Sequence, residues 1–267
     1  MTTVDVMGRA AEAVESLSDH ALARLLADSA GEVLLGLRAE SGDLAPRQLK
    51  DEGDRRSQAH LAAGLGRYRP GDAVLSEEAG DDPARLEADR VWIIDPLDGT
   101  REFSEVPRED WAVHVALWEG GDLVAGAVAR PAMGSTLATD APPTAPEPVT
   151  GPIRLAVSRT RPPEFVERLA ARLGAELVPM GSAGVKATAV LDGVVDAYVH
   201  AGGQYEWDSA APVAVARSAG LHTSRIDGSV LRYNRRDPLL PDLLICRPEL
   251  ADQLLAAIEE LTKGEAQ

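Results

Sequence analysis

Val91-Trp92-Ile93-Ile94 runs directly into Asp95-Pro96-Leu97-Asp98-Gly99-Thr100, and this junction constrains the chain more than any other stretch. An apolar run rich in β-branched and aromatic residues reads as a buried strand. Proline cannot continue a central strand, so the strand is expected to stop at Asp95-Pro96. Two carboxylates three residues apart then enter a tight turn, with the Leu97 carbonyl between them. Three oxygens aimed into one small volume suit a hard cation such as Mg²⁺. Gly99 allows close backbone approach to a ligand, and the N–H groups of a following helical turn favour an anion. A plain Asp-Gly surface turn is the competing explanation. Cation on one side and phosphate on the other is how a phosphatase is laid out.

The charge balance narrows the partners. A net charge of −16 opposes nucleic acid and anionic membranes, which need a positive footprint. The same charge would repel a phosphate ester, unless bound divalent cations reverse the sign of the site. No apolar run is long enough to span a bilayer, and the opening MTTVDVMGRA lacks the apolar stretch of a signal peptide. With one cysteine, Cys246 in an apolar strand pattern, no intrachain disulfide can form and a buried hydrophobe is expected. A cytoplasmic protein is the expectation.

Along the chain, Ser18 caps a first helix reaching Glu40, with leucines and other apolar residues at three- and four-residue intervals. A second helix is expected from Arg55 to about Arg67, with Asp54 at its start, where a cap alone would explain it. Ala73 to Ser76 reads as a short strand ending in Glu77 and Glu78, which on their own are two exposed acids. Apolar runs around Glu119-Gly120-Gly121-Asp122 predict a β-hairpin. His114, within it, reads as a core histidine. The proline-rich stretch Ala141 to Pro148 marks a boundary near residue 150, separating an N-terminal α+β domain (1–150) from a C-terminal α/β domain (151–267). Beyond it, strand and helix patterns alternate, which argues for an α/β layer. Gly181-Ser182-Ala183-Gly184-Val185-Lys186 opens a helix whose N-terminus suits an anion, or is simply a glycine-punctuated packing helix. Trp207-Asp208 starts another, where capping again suffices for Asp208.

Asp95-Pro96-Leu97-Asp98-Gly99-Thr100 resembles the signature of the Mg²⁺-dependent, lithium-sensitive phosphatases of the inositol monophosphatase superfamily. Trp207-Asp208-Ser209-Ala210-Ala211 resembles that family's second signature, in order and about 110 residues downstream. Glu77-Glu78 matches its Glu-Glu element, and Asp54 falls on the aspartate of its Thr-x-x-Asp element. Asp51 stands where the family has threonine, which removes a hydroxyl from the site or adds a carboxylate to it. The resemblance implies a layered α/β/α/β/α sandwich of the sugar-phosphatase type. It also implies two to three Mg²⁺ ions held by Glu77, Asp95, the Leu97 carbonyl, Asp98 and Asp208, with Asp54 helping to place a third. Glu77 and Thr100, with Asp54 and Asp51, would serve the attacking water. Gly99 and Thr100 would meet the phosphate, with Asp98 and Asp208 beside it. A homodimer follows by the same resemblance.

Three features lean towards the CysQ-type branch, which acts on 3′-phosphoadenosine 5′-phosphate in sulfate assimilation. They are Glu206 before Trp207-Asp208, Ser158-Arg159, and the Ser182 to Lys186 segment; Arg159, Ser182 and Lys186 would then contact substrate. Arg232, Arg235 and Arg236 form a further basic cluster that reads mostly as solvated surface. The alternatives are an inositol 1-phosphate or fructose 1,6-bisphosphate phosphatase, or a non-catalytic metal- or nucleotide-binding regulator. Asp98→Asn is expected to abolish turnover and spare the fold.

Overall fold

The computed structural model describes residues 17–42, 44–148 and 150–265. The opening MTTVDVMGRA, on which the expectation of no signal peptide rests, lies outside them. Helix α1 (Asp19–Glu40) starts where Ser18 accepts the Ala21 N–H, and α2 (Pro46–Tyr68) follows. The first sheet has the order β1-β2-β3-β4-β5. Its strands are β1 (Ala73–Ser76), β2 (Arg90–Asp98), β3 (Ala112–Glu119), β4 (Asp122–Arg130) and β5 (Ser135–Ala138), and the short helix α3 (Thr100–Ser104) follows β2. Strand β1 runs parallel to β2, and the other pairs are antiparallel. The expected hairpin joins β3 to β4 through Gly120 and Gly121, both at positive φ, as a two-residue turn requires.

The second sheet has the order β7-β6-β8-β10-β9. It holds β6 (Arg154–Ser158), β7 (Glu176–Met180), β8 (Ala197–Tyr205), β9 (His222–Ser224) and β10 (Leu239–Cys246). Its helices are α4 (Glu164–Leu173), α5 (Ala183–Leu191), α6 (Glu206–Ser218) and α7 (Ala251–Glu265). Residues 142–148, in the proline-rich stretch, carry no regular secondary structure. Cys246 is buried and unpaired, as expected of a small hydrophobe. Among the described residues, no helix is long and apolar enough to cross a membrane.

Strand alternation builds the layers. On β2, Trp92 and Ile94 pack with Leu22, Leu26 and Leu61 of α1 and α2. Val91 and Ile93 face the other way, against Val190 of α5 and Val213 of α6. The second sheet closes that middle layer with Tyr198, Leu243 and Ile245. On its far side, Val199, Leu244 and Cys246 pack against Val166 of α4 and Leu254 of α7. The result is the expected α/β/α/β/α sandwich, with one core shared by both halves of the chain.

Two local expectations fail. Strand β2 does not stop at Asp95-Pro96 but continues to Asp98. Helix α2 does not begin near Asp54 but at Pro46, so Asp54 lies in its interior. Proline at the first helical position and a Gln48 side chain accepting the Ala45 N–H set that earlier start.

Candidate metal centre

The end of β2 is shaped by a β-bulge. Asp95 pairs with His114 and Asp98 with Ala112, so three steps along β2 face two along β3. Pro96 is tolerated inside this irregularity because no ladder N–H is required of it. Its carbonyl accepts the Ser57 hydroxyl at 2.6 Å. The Leu97 N–H returns to Asp95 Oδ1 at 3.0 Å, and Thr100 Oγ1 donates to the Leu97 carbonyl at 3.1 Å. Gly99, at φ 84°, turns the chain into α3 through a conformation that other residues rarely adopt.

Asp208 arrives from the second half. It lies in the first turn of α6 and accepts the Tyr205 N–H at 2.6 Å. It is therefore a capping residue and also a member of the centre. Among the described residues, Asp95, Asp98 and Asp208 form a group whose carboxylate oxygens lie within 4.8 Å of one another. Glu77, directly after β1, stands outside that trio and feels the charges of Asp208 and Asp98. Asp54, half-buried, approaches from α2 and feels the charges of Glu78 and Asp51.

Crowding leaves its mark on these acids. Burial, then the charges of Asp208 and Asp98, push Glu77 up to about 7. Burial also drives Asp95 well above the carboxylate range, reinforced by Glu77 and Asp98, and lifts Asp208 to about 6 with Asp98 nearby. Asp54 rises to about 7 through burial and the charges of Glu78 and Asp51. The principal charged neighbours of Glu77 and Asp95 are other carboxylates. An all-oxygen set of this kind, left without a protein cation, fits Mg²⁺.

Asp98 is the exception. Burial would raise it, but His114, Lys186 and Ser182 hold it well below the usual range. Its carboxylate sits on the N-terminus of α5, accepting Ser182 Oγ at 2.5 Å, the Ala183 N–H at 3.0 Å and the Gly184 N–H at 2.6 Å. The anion at this helix start is thus a side chain of the protein itself. Ser182 holds a strained φ of 51° while its hydroxyl also accepts the Val185 N–H. These bonds tie Asp98 into the fold, so Asp98→Asn is expected to cost stability as well as turnover.

His114 is the residue the sequence reading passed over. It is buried as expected, but its Nε2 lies 3.1 Å from Asp98 Oδ2 and its Nδ1 3.0 Å from the Trp207 carbonyl. It thereby links the β2 bulge to the start of α6. Burial alone would lower the imidazole, yet the Asp98 charge raises it. Gly184 makes room for it, since a Cβ there would lie 2.0 Å from Nε2. The available signal was strand alternation, which puts His114 on the same face as Ala112 and Ala116, towards the middle layer.

Other expected residues are placed differently. Lys186 is buried one turn into α5 and donates to the Ser182 carbonyl at 2.5 Å. Arg159 pairs with Glu102 and Glu105, each at 2.8 Å. Asp51 is exposed and reaches the centre only through its charge on Asp54. Glu206, buried beside Asp208, accepts the N–H groups of Asn234 and Arg235 at 2.6 and 2.8 Å.

Known proteins resemble this chain closely. Residues 18–263 match the model of the inositol monophosphatase family. A Mycobacterium leprae protein named 3′-phosphoadenosine 5′-phosphate phosphatase is 54% identical over 258 residues, spanning 92% of this chain and 95% of that protein. A Mycobacterium bovis protein of the same name is 56% identical over 239 residues, spanning 86% and 90%. Among solved structures, CysQ from Bacteroides thetaiotaomicron, described as a bacterial member of the same family, superposes with a TM-score of 0.70 at 26% identity, covering 83% of this chain and 94% of that one.

Proposed function

We propose that this chain, which belongs to the inositol monophosphatase family, removes the 3′-phosphate of 3′-phosphoadenosine 5′-phosphate to give AMP and phosphate. The observation that carries the reading is the convergence of Asp95, Asp98 and Asp208 from both halves of the chain. The nucleotide is taken from the relatives' names. With it goes the expectation of a lithium-sensitive homodimer serving sulfate assimilation, which rests on the resemblance alone, and of a cytoplasmic protein, read from the sequence.

Glu77, Asp95, the Leu97 carbonyl, Asp98 and Asp208 would hold Mg²⁺, with Asp54 at the margin for a further ion. Bound there, Mg²⁺ supplies positive charge that offsets the phosphate and the departing oxygen. The protein's own groups do the rest. Glu77 and the Thr100 hydroxyl, backed by Asp54, would orient the attacking water, with the Glu77 carboxylate placed to take its proton. The N–H groups of Gly99 and Thr100 face the phosphate oxygens. Asp98 stays ionised throughout because the start of α5 and His114 hold it so.

Phosphate release from 3′-phosphoadenosine 5′-phosphate, inositol 1-phosphate and fructose 1,6-bisphosphate tests the reading, each with Mg²⁺ and with EDTA. A Mg²⁺-dependent preference for the nucleotide in kcat/KM is expected. Equal rates would remove the nucleotide assignment, and no release from any ester would remove the enzyme.

A further inference from the structure

The groups first expected to meet a second phosphate are engaged elsewhere. Lys186 spends a proton on the Ser182 carbonyl, Ser182 spends its hydroxyl on Asp98, and Arg159 sits between Glu102 and Glu105. A different set of cations is free. In a chain of net charge −16, Arg232, Arg235 and Arg236 lie within five residues of one another. All three are exposed; among the described residues their guanidinium groups make no hydrogen bond or close ion pair, although the Arg235 charge is felt by the buried Glu206 carboxylate. They line a cavity of about 700 Å³, together with Val230, Leu239 and Asp237. Arg225, on its wall, is already committed to Asp242. Val230 is 69% exposed and Leu239 46%, so the wall is partly apolar.

This loop is tied to the segments that flank two of the proposed ligands. The buried Glu206 carboxylate, two residues before Asp208, holds the Asn234 and Arg235 N–H groups, and the Glu206 N–H donates to the Pro238 carbonyl at 2.8 Å. The backbone turns at Asn234 through a φ of 57°. Arg85, almost wholly buried, donates to Asn234 Oδ1 at 2.7 Å and to the Arg235 carbonyl at 2.8 Å. The same guanidinium pairs with Asp81, on the segment that follows Glu77. The loop's backbone is therefore clamped to the segments carrying Glu77 and Asp208, while its three exposed guanidinium groups keep their hydrogen-bond donors unused among the described residues. Planar, multi-donor guanidinium groups carried on a clamped backbone are suited to recognise a phosphate.

We propose that Arg232, Arg235 and Arg236 form the subsite for the phosphate that is not hydrolysed, so that this loop selects bisphosphorylated nucleotides over monoesters. The proposal rests on the nucleotidase reading above. The metal centre recognises only the phosphate it cleaves; the arginine loop would supply recognition of the second.

The test compares kcat/KM for 3′-phosphoadenosine 5′-phosphate and for adenosine 3′-monophosphate, both with Mg²⁺. Three proteins are assayed: the wild type, the double variant Arg235→Ala/Arg236→Ala, and Lys186→Met. Near-ultraviolet circular dichroism and the Mg²⁺-induced shift in Tm establish that each variant is folded and holds metal. The bisphosphate-to-monophosphate ratio is expected to fall roughly tenfold or more in the arginine variant, mainly through KM, and Arg235→Lys/Arg236→Lys should recover part of it. An unchanged ratio, or an equal loss on both esters, would overturn the subsite. So would a ratio abolished by Lys186→Met and untouched by the arginine substitutions. A wild type with no preference for the bisphosphate removes the subsite and leaves a Mg²⁺-dependent phosphatase standing. A wild type that cleaves neither adenosine ester removes the proposed nucleotidase, and the subsite with it.

Discussion

Asp95 and Asp98 lie three residues apart on one strand, and their surroundings are opposite. Asp95 faces Glu77 and Asp208, with one backbone N–H for relief, and its carboxyl is driven up. Asp98 receives a hydroxyl, two backbone N–H groups and a nearby imidazole, and is driven down. One flank of the centre is completed by the protein; the other can be completed only by a cation or by protons. A site built this way keeps one ligand permanently ionised, as a fixed anchor. Its remaining ligands stay free to exchange protons for metal.

Removing the cation should have the largest effect. Dialysis against EDTA is expected to bring phosphate release to background, and added Mg²⁺ to restore it; release that persists without metal would end the comparison. Next come the two aspartates. Asp95→Asn and Asp98→Asn should each lower kcat/KM by about a thousandfold or more, since each removes a ligand. Their stabilities should separate. In EDTA, thermal melts should show Asp98→Asn destabilised by about 2–4 kcal/mol, because buried charge-assisted bonds are lost. Asp95→Asn should melt no lower than the parent, because it relieves repulsion. Equal losses would show that the two flanks do not differ.

Gly184→Ala sharpens the contrast further. The added methyl meets His114 Nε2, and a loss of about 1–3 kcal/mol with weaker Mg²⁺ activation is expected. A variant that melts and titrates like the parent would mean that His114 has room to shift.

The smallest effect is that of pH. In the metal-free fold, Glu77 at about 7 and Asp208 at about 6 bind protons more tightly than ordinary carboxyls of the unfolded chain near 4. Their contribution to stability is complete below that unfolded value and is lost as pH rises through 6 to 7. Tm in EDTA should therefore fall by a few degrees between about pH 5 and pH 8. The Mg²⁺-induced rise in Tm should grow over the same interval, since the cation takes the deprotonated form. A Mg²⁺ shift independent of pH would contradict the crowding of these acids.

Strand alternation in Val91 to Ile94 and the two short acidic motifs made the layers and the clustering of Asp95, Asp98 and Asp208 legible, because each is encoded within a few neighbouring residues. The helix start at Pro46 was not. Gly53, next to the expected start at Asp54, is a packing glycine inside the helix: a Cβ there would lie 2.8 Å from Phe103 and 2.9 Å from Leu97. The partners of His114, Glu206 and Arg85 lie many residues away, the Trp207 carbonyl 93 positions from His114. No local pattern in sequence records such pairings. Ser182 shows the same limit: its helix start favours an anion, as its residue types suggest, but only the folded chain shows that Asp98 already fills the place.

The ligands also divide along the sandwich. Asp95 and Asp98 lie on β2 and Glu77 directly follows β1, all in the first sheet's layer, whereas Asp208 rides on a helix of the middle layer. A cation gripped by all four would act as a rivet between layers, so part of its binding energy becomes resistance of the α6 start to local opening. Amide hydrogen exchange at the first turns of α6 should slow on Mg²⁺ addition, while exchange in α1, on the far side of the first sheet, stays as it was.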